Sequence, residues 1–291
     1  MKCLAIIWAV ILCVLLSASL AGADSVAAVN DSSGKSELNA TLLDFGSAGQ
    51  QTAQDWCNKS DLLLNSSKCN ESIEACNMAI KLNQSYAMAW SYRGSALFNL
   101  SLYNESLECY NKSIELDSKL ALPWKGKGAV FGRRSQYDDA IKSYDEAIRL
   151  DPKFAKAWAG KGFALYLLGK YDDAIKSYDE AIRLDPKFAK AWTGKGLVFY
   201  DQGKYEDALK AYDKATGLNP YNAANTWNIK GFAFYNQGKY DDADKALDKA
   251  IELDPNLTGV WQIKGRALAA LGKTTEANAA FAKARELGFT D

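Results

Sequence analysis

The 291-residue chain contains no histidine. Histidine is the commonest general base and the commonest metal ligand at neutral pH, so its absence removes the simplest catalytic and metal-binding chemistry. The sequence also lacks the GxSxG and HExxH motifs of hydrolases and metalloproteases. Gly272-Lys273-Thr274 resembles the end of a phosphate-binding loop, but the glycine required five residues earlier is Ala267. The sequence therefore predicts no catalytic, cofactor-binding or metal site, and a protein that is not an enzyme.

Net charge is also absent, because 35 basic residues balance 35 acidic residues. A balanced chain argues against nucleic acid as the main partner. Long apolar runs are confined to the N-terminus, where one lysine precedes the run 4–16 and Ala21-Gly22-Ala23 offers a cleavage site. This pattern predicts a signal peptide over 1–23, no membrane span after its removal, and a secreted or cell-surface protein. The alternative is an uncleaved N-terminal membrane anchor with the chain facing outside.

Tryptophan recurs at regular intervals through the rest of the chain. Seven of the eight tryptophans recur at intervals of 34 residues, with one interval of 35: Trp56, Trp90, Trp124, Trp158, Trp192, Trp227 and Trp261. A period of this size indicates repeated structural units. With tryptophan at position 4 of each repeat, small residues predominate at positions 8, 20 and 27, and large residues at positions 11 and 24. Because these spacings are three or four residues, each repeat is predicted to form two amphipathic helices that approach closely at the small residues.

Position 15 is the predicted turn between the two helices. It is glycine in the last four repeats, which suits the left-handed backbone that ends many helices, and serine in the first three. Proline at position 32 of the four middle repeats separates one repeat from the next.

The pattern resembles the tetratricopeptide repeat (TPR) family over residues 53–291. The resemblance implies an all-α fold: a right-handed superhelical solenoid of about seven helix-turn-helix repeats, in which the first helix of each pair lines a concave groove. Two diverged, cysteine-rich repeats are predicted over 53–120 and five regular repeats over 121–291. They follow a Ser-, Ala- and Gly-rich segment, 24–52, that is predicted to be a flexible tether.

The resemblance also implies which side chains face the groove, near positions 2, 5, 9 and 12 of each repeat. Positions 9 and 12 carry a largely aromatic stripe in repeats four to six, and packing between neighbouring first helices is an alternative explanation for it. The lysines nearby favour a protein or peptide partner with acidic or carboxylate groups. The predicted peptide groove comprises Lys125, Lys156, Phe163, Tyr166, Lys190, Leu197, Tyr200, Asn228, Phe232 and Tyr235.

Charge is segregated within the middle repeats, where first helices are basic and second helices carry most acids, so a positive inner face is predicted. On a second helix, Asp172–Lys176 and Asp179–Arg183 are spaced i, i+4, which favours ion pairs. A basic residue also fills position 7 of every repeat. It is predicted to lay its alkyl stem over the seam between repeats, with its charge in water. These residues are Lys59, Arg93, Lys127, Lys161, Lys195, Lys230 and Lys264.

Four cysteines lie outside the predicted signal peptide, all in the first two repeats. An even number in an exported chain predicts two disulfides. Cys69 and Cys76 are seven residues apart on one predicted helix, too far to bridge. The preferred pairing is therefore Cys57–Cys69 with Cys76–Cys109, and the alternative is Cys57–Cys76 with Cys69–Cys109.

Ten Asn-x-Ser/Thr sequons, the acceptor motifs for N-linked glycans, occur in the chain, and nine of them precede residue 112. Two, at Asn30 and Asn39, lie in the predicted tether. The N-glycosylation sites predicted in the repeats are Asn58, Asn65, Asn70, Asn83, Asn99, Asn104, Asn111 and Asn256.

Three functional hypotheses follow. The preferred one is an exported TPR scaffold that binds a protein through the inner face of the repeats, without catalysis. The second is a structural glycoprotein that acts as a spacer in the cell envelope, and the third is a carbohydrate-binding surface protein whose aromatic rings stack on sugars. The sequence names no partner and predicts no oligomeric state.

Overall fold

The computed structural model describes residues 51–220 and 223–289. The predicted signal peptide, Asn30, Asn39 and the predicted tether up to residue 50 lie outside these ranges. Fourteen α-helices and no strand occur in the described residues. The helices are α1 Ala53–Asn65, α2 Cys69–Leu82, α3 Ala87–Asn99, α4 Tyr103–Leu116, α5 Ala121–Arg133, α6 Tyr137–Leu150, α7 Ala155–Leu167, α8 Tyr171–Leu184, α9 Ala189–Asp201, α10 Tyr205–Leu218, α11 Ala224–Asn236, α12 Tyr240–Leu253, α13 Thr258–Ala270 and α14 Thr274–Glu286.

Six helix pairs each pack as one repeat: α1–α2, α3–α4, α5–α6, α9–α10, α11–α12 and α13–α14. The predicted all-α fold of TPR helix pairs is therefore confirmed. By its contacts the chain divides into two compact units, Met1–Leu168 and Gly169–Asp291. Unit 1 contains helices α1 to α7, and unit 2 contains helices α8 to α14. The two units are described separately below.

The turn within each repeat has a left-handed residue at position 15, as predicted. Gly203 has φ 74°, and the amide of the next residue, Lys204, donates to the carbonyl of Phe199 at 2.9 Å. Ser101 has φ 62° at the same place in the second repeat, and Leu102 donates to Leu97 in the same way. These bonds satisfy carbonyls at the end of the first helix and reverse the chain into the second.

The small residues of each repeat accommodate a large ring. In unit 1 the ring of Tyr144 lies between Gly128 of its own repeat and Gly160 of the next first helix. A Cβ atom on Gly160 would lie 2.5 Å from two carbons of that ring. Glycine at position 6 of a repeat therefore lets neighbouring repeats approach each other. The sequence analysis did not predict this requirement, although Gly126, Gly160 and Gly194 recur at the repeat period.

At Trp90, Trp158, Trp192 and Trp261 the recurring tryptophan connects a repeat to the one before it. The indole Nε1 of Trp158 donates to the carbonyl of Pro152 at 3.1 Å, and Trp261 donates to Pro255 at 3.0 Å. Trp90 makes the same bond to Gln84, so the carbonyl at position 32 is the acceptor whether or not the residue is proline. This bond fixes the chain between repeats at the place where helical hydrogen bonding stops.

Candidate peptide-binding faces

Unit 2 presents two groups of aromatic rings on its first helices and at their turns. The Tyr200 ring centroid lies 5.3 Å from that of Tyr205 and 5.7 Å from that of Phe232. Tyr235 and Tyr240 form a similar pair at 5.6 Å. All five rings are half-buried. We call Lys190, Leu197, Tyr200, Asn228, Phe232 and Tyr235 the unit 2 face.

Both explanations of the aromatic stripe apply within this face. The Tyr200–Phe232 contact joins neighbouring first helices, as the packing explanation requires. Asn236 donates from its amide nitrogen to the Tyr200 hydroxyl, and burial raises the pKa of Tyr200 above its ordinary value, with Tyr205 and Asp201 adding to the rise. Part of each ring nevertheless stays in contact with solvent, so the face is both preorganised and accessible.

Asn228 occupies the floor of the unit 2 face, with only 6% of its surface exposed. Its Oδ1 atom is buried and accepts no hydrogen bond within the protein. A buried acceptor without a donor is unfavourable by about 1–3 kcal/mol. The nearby hydroxyls of Thr193 and Thr226 lie 3.3 Å apart and can satisfy each other. Asn228 is thus a polar group whose hydrogen bonding is incomplete in the unliganded protein.

The predicted groove residues of unit 1 form a less aromatic surface. Phe163 and Tyr166 pack with ring centroids 6.2 Å apart, but Tyr166 is 7% exposed and presents little surface. Lys156 is exposed and Lys125 is half-buried. In unit 2, Leu197 is buried like Tyr166, with 3% exposed. Three of the ten predicted groove residues, Tyr166, Leu197 and Asn228, are therefore buried.

Asp61 adds an acidic group to unit 1 that the sequence analysis missed. Burial raises the pKa of its carboxyl group, and the positive charge of Lys156 opposes that rise. Asp61 occupies position 9 of the first repeat, the same position as Phe163, so tabulating position 9 through every repeat would have revealed it. The inner surface of unit 1 is therefore of mixed charge.

Four of the seven basic residues at position 7 do not leave their charge in water as predicted. Lys161, Lys195, Lys230 and Lys264 each form an ion pair with an aspartate on the second helix of the preceding repeat. Lys161 reaches Asp145 at 2.7 Å and Lys195 reaches Asp179 at 2.5 Å, while Lys230 and Lys264 make the same kind of pair. Their charges are therefore neutralised at the seam, and the predicted positive inner face is weaker than the lysine count suggests. The alkyl stem over the seam is as predicted, since these lysines are only 12–24% exposed.

The pairs predicted along the second helices also differ in spacing. Lys176 bonds Asp173 at 3.0 Å and Arg183 bonds Glu180 at 2.8 Å, both at i, i+3 rather than i, i+4. Asp179, predicted to bind Arg183, is held by Lys195 instead. These second-helix pairs are exposed and contribute little to stability.

The structure holds all four cysteines as free thiols. Cys57 lies eight residues before the end of α1, whereas Cys69 is the first residue of α2, so they differ by about 12 Å along an antiparallel hairpin. That offset argues against the preferred Cys57–Cys69 bridge. Cys76 lies seven residues into α2, close to the level of Cys57. Burial raises the pKa of Cys57 to about 12, and the charge of Cys76 adds to that rise, which indicates that the two thiols are near each other. The alternative Cys57–Cys76 pairing fits the hairpin better, and both disulfide pairings stay predictions.

The eight predicted glycosylation asparagines within the described residues are all exposed. Within those residues, no group of three His, Cys, Asp or Glu side chains is arranged to hold a metal ion. None of the helices placed by the structure is both long and apolar enough to cross a bilayer.

The repeat geometry agrees with the comparisons to known proteins. The model of the cilia and flagella-associated protein 70 C-terminal domain, a TPR domain, matches residues 37–291. The chain therefore belongs to this TPR family. No curated protein matches the sequence.

Several solved structures share the fold. A chain in the crystal structure of the APC/C hetero-tetramer Cut9–Hcn1 superposes with a TM-score of 0.73 and 19% identity, covering 87% of this chain and 50% of its own. This chain thus spans about half the length of that relative. PilF of Pseudomonas aeruginosa gives a TM-score of 0.63 at 18% identity, covering 71% of this chain and 93% of its own. A TPR protein from Parabacteroides merdae gives 0.60 at 14% identity, covering 82% and 94%. At these identities the similarity shows the fold alone.

Proposed function

We propose that the chain is an exported TPR scaffold that binds an extended, carboxylate-bearing segment of another protein on the unit 2 face, without catalysis of its own. The TPR fold supports a protein-binding role in general. The observation that carries the specific proposal is the half-exposed aromatic set around Tyr200, Phe232 and Tyr235. Exposed rings supply contact area for an extended peptide.

The charge of the partner is inferred from Lys190, which is half-buried on α9 at the second position of its repeat. Lys195, on the same helix, forms an ion pair with Asp179 at the seam. A partner carboxylate near Lys190 would form a charge-assisted hydrogen bond. The occurrence of a structural relative in a hetero-tetramer is consistent with a scaffold role.

The envelope spacer and the carbohydrate binder remain the competing functions. A spacer needs no accessible aromatic set, so it would tolerate changes to the unit 2 face. A sugar binder would depend on ring stacking and would respond little to reversing a lysine charge. A peptide binder responds to both changes, which separates the three functions experimentally.

The test is crosslinking capture from native cell-surface material. The bait is the wild-type chain, a Tyr200→Ala/Tyr235→Ala variant or a Lys190→Glu variant, each checked for helical content by circular dichroism. Tyr103→Ala in unit 1 is the matched control, because Tyr103 forms a similar ring pair with Phe98 at 5.8 Å. We expect one dominant protein with wild type and control, and its loss with both unit 2 variants. Equal capture by all four baits would favour the spacer, and loss only with the tyrosine variant would favour a sugar.

A further inference from the structure

Four of the sequon asparagines lie at the turns inside the first two repeats. Asn65 and Asn99 are the last residues of α1 and α3, and Asn70 and Asn104 are the second residues of α2 and α4. All four side chains are exposed. Each of these two turns therefore carries one acceptor on either side.

The turns of neighbouring repeats lie side by side. Asn70 of the first repeat and Asn99 of the second line the same surface depression of about 410 Å³. One repeat further, Arg134 donates to the side-chain oxygen of Asn104. The asparagines therefore form a row along one edge of unit 1. We call Asn65, Asn70, Asn99 and Asn104 the turn edge.

The backbone at the turn edge favours glycine, yet the sequence supplies serine. Ser67 and Ser101 have φ 60° and 62°, in the left-handed region where a Cβ atom is disfavoured. The equivalent residues of unit 2 are glycines with φ of 73–77°. Glycine would relieve both turns.

Ser67 and Ser101 also have a second role, as parts of sequons. Ser67 is the third residue of the sequon that begins at Asn65, and Ser101 is the third residue of the sequon that begins at Asn99. A sequon requires Ser or Thr at this place, so glycine would improve the turn and destroy the acceptor site. Ser135 has φ 59° in the third repeat without a sequon, and it therefore provides a control for the backbone effect alone.

Exposed apolar side chains flank the same edge. Leu100 and Leu102, on either side of Ser101, are 39% and 42% exposed, and Leu100 lines the depression with Asn70 and Asn99. Glycans attached along this edge would lie over these leucines and keep the surface soluble.

We propose that the turn edge of the first two repeats is N-glycosylated and that Ser67 and Ser101 are kept in left-handed turns to preserve two of the acceptors. The proposal rests on the export included in the proposed function. In the reaction, the Asn Nδ2 atom bonds to the anomeric carbon of a lipid-phosphate-linked oligosaccharide. The bond from that carbon to the phosphate oxygen breaks, the lipid phosphate leaves with the electron pair, and the amide loses one proton.

The test is intact-mass and glycopeptide mass spectrometry of the full chain purified from its own cells. It compares wild type with a Ser67→Gly/Ser101→Gly variant and with Ser135→Gly. We expect glycans on the turn edge in wild type, and loss of those on Asn65 and Asn99 in the double variant with Asn70 and Asn104 still occupied. Ser135→Gly should keep the full wild-type glycan mass. All three proteins should fold, since each substitution places glycine at a positive φ.

Two outcomes would overturn the proposal and separate it from the functional one. An exported chain whose mass equals the bare polypeptide, or whose glycans all lie off the turn edge, would contradict glycosylation here and leave export intact. An unmodified chain found only inside the cell would contradict both glycosylation and export. Partner binding by the unit 2 face is measured separately on protein made without glycans, so neither outcome decides it.

Discussion

Lys161 Nζ lies 2.7 Å from Asp145 Oδ1 on the second helix of the preceding repeat, and 5.6 Å from the centre of the Trp158 ring on its own helix. One side chain therefore links two repeats by charge and places its ammonium group over the repeating tryptophan. The arrangement recurs at Lys195 and Lys230, which lie over Trp192 and Trp227. It makes the seventh position a connector between repeats.

Removing the Lys161 side chain should measurably lower the free energy of unfolding. Lys161→Ala should lower the free energy of unfolding by about 1–2 kcal/mol, since it deletes an ion pair, a cation–π contact and stem packing. Lys161→Met should lose less, because the stem remains. Lys153→Ala, at an exposed lysine, should stay within about 0.5 kcal/mol of wild type. Urea denaturation checks all three, and equal effects of Lys161→Ala and Lys153→Ala would contradict the connector role.

Two glycines in neighbouring repeats should respond to alanine in opposite directions. Gly160→Ala would place a Cβ atom 2.5 Å from the Tyr144 ring, so we expect a loss of about 1–3 kcal/mol. At Gly132, in α5, a Cβ atom would meet nothing within 4 Å, so alanine should stabilise the helix by about 0.5–1 kcal/mol. Thermal denaturation should lower the midpoint for the first and raise it for the second. A gain in stability at Gly160 would show that the Tyr144 contact does not limit the approach of the repeats.

The buried thiols predict a loss of stability at alkaline pH in the reduced protein. Burial raises the Cys57 pKa to about 12 and the Cys76 pKa to about 11, from an ordinary value of 9.0. Each thiol has a higher pKa in the folded protein than in the unfolded chain, so the protonated thiols contribute stability. That contribution is complete below pH 9 and is lost as the pH rises through 11 to 12. Cys57→Ala should therefore lose less stability than wild type between pH 8 and pH 10.5, by urea denaturation. An identical loss in both proteins would mean that Cys57 titrates normally.

The sequence predicted the helices well because the 34-residue period determines which side of each helix is apolar. The turns at position 15 and the breaks at position 32 were equally readable, since Gly203 and Pro152 have local backbone effects. The period does not specify how far each helix is shifted along the axis of its neighbour. That shift decides that Lys195 reaches Asp179 of another helix, and that Cys57 lies near the level of Cys76 rather than Cys69.

The sequence predicted which positions belong to the candidate site, but not how deeply each side chain is buried. The resemblance to the TPR family placed Tyr166, Leu197, Tyr200 and Asn228 on one face, and the structure leaves them unequally exposed. Tyr166 and Leu197 pack into the core, whereas the Tyr200 ring reaches solvent. Burial depends on the sizes of neighbouring side chains, which helical spacing does not specify. The sequence also does not show that Asn228 Oδ1 accepts no hydrogen bond, because that depends on the positions of all the polar atoms around it.

The most direct test of the central claim is to measure stability and partner affinity together for Tyr235→Ala. The partner is the protein segment captured by wild type, titrated by calorimetry. Ile229→Val, at a fully buried residue of the same helix, is the control and should lose about 0.5–1.5 kcal/mol of stability while binding normally. If the unit 2 face binds the partner, Tyr235→Ala should bind about tenfold more weakly or worse, because it removes a half-exposed ring that contacts the peptide. Wild-type affinity in Tyr235→Ala would contradict the assignment of the unit 2 face as the binding site.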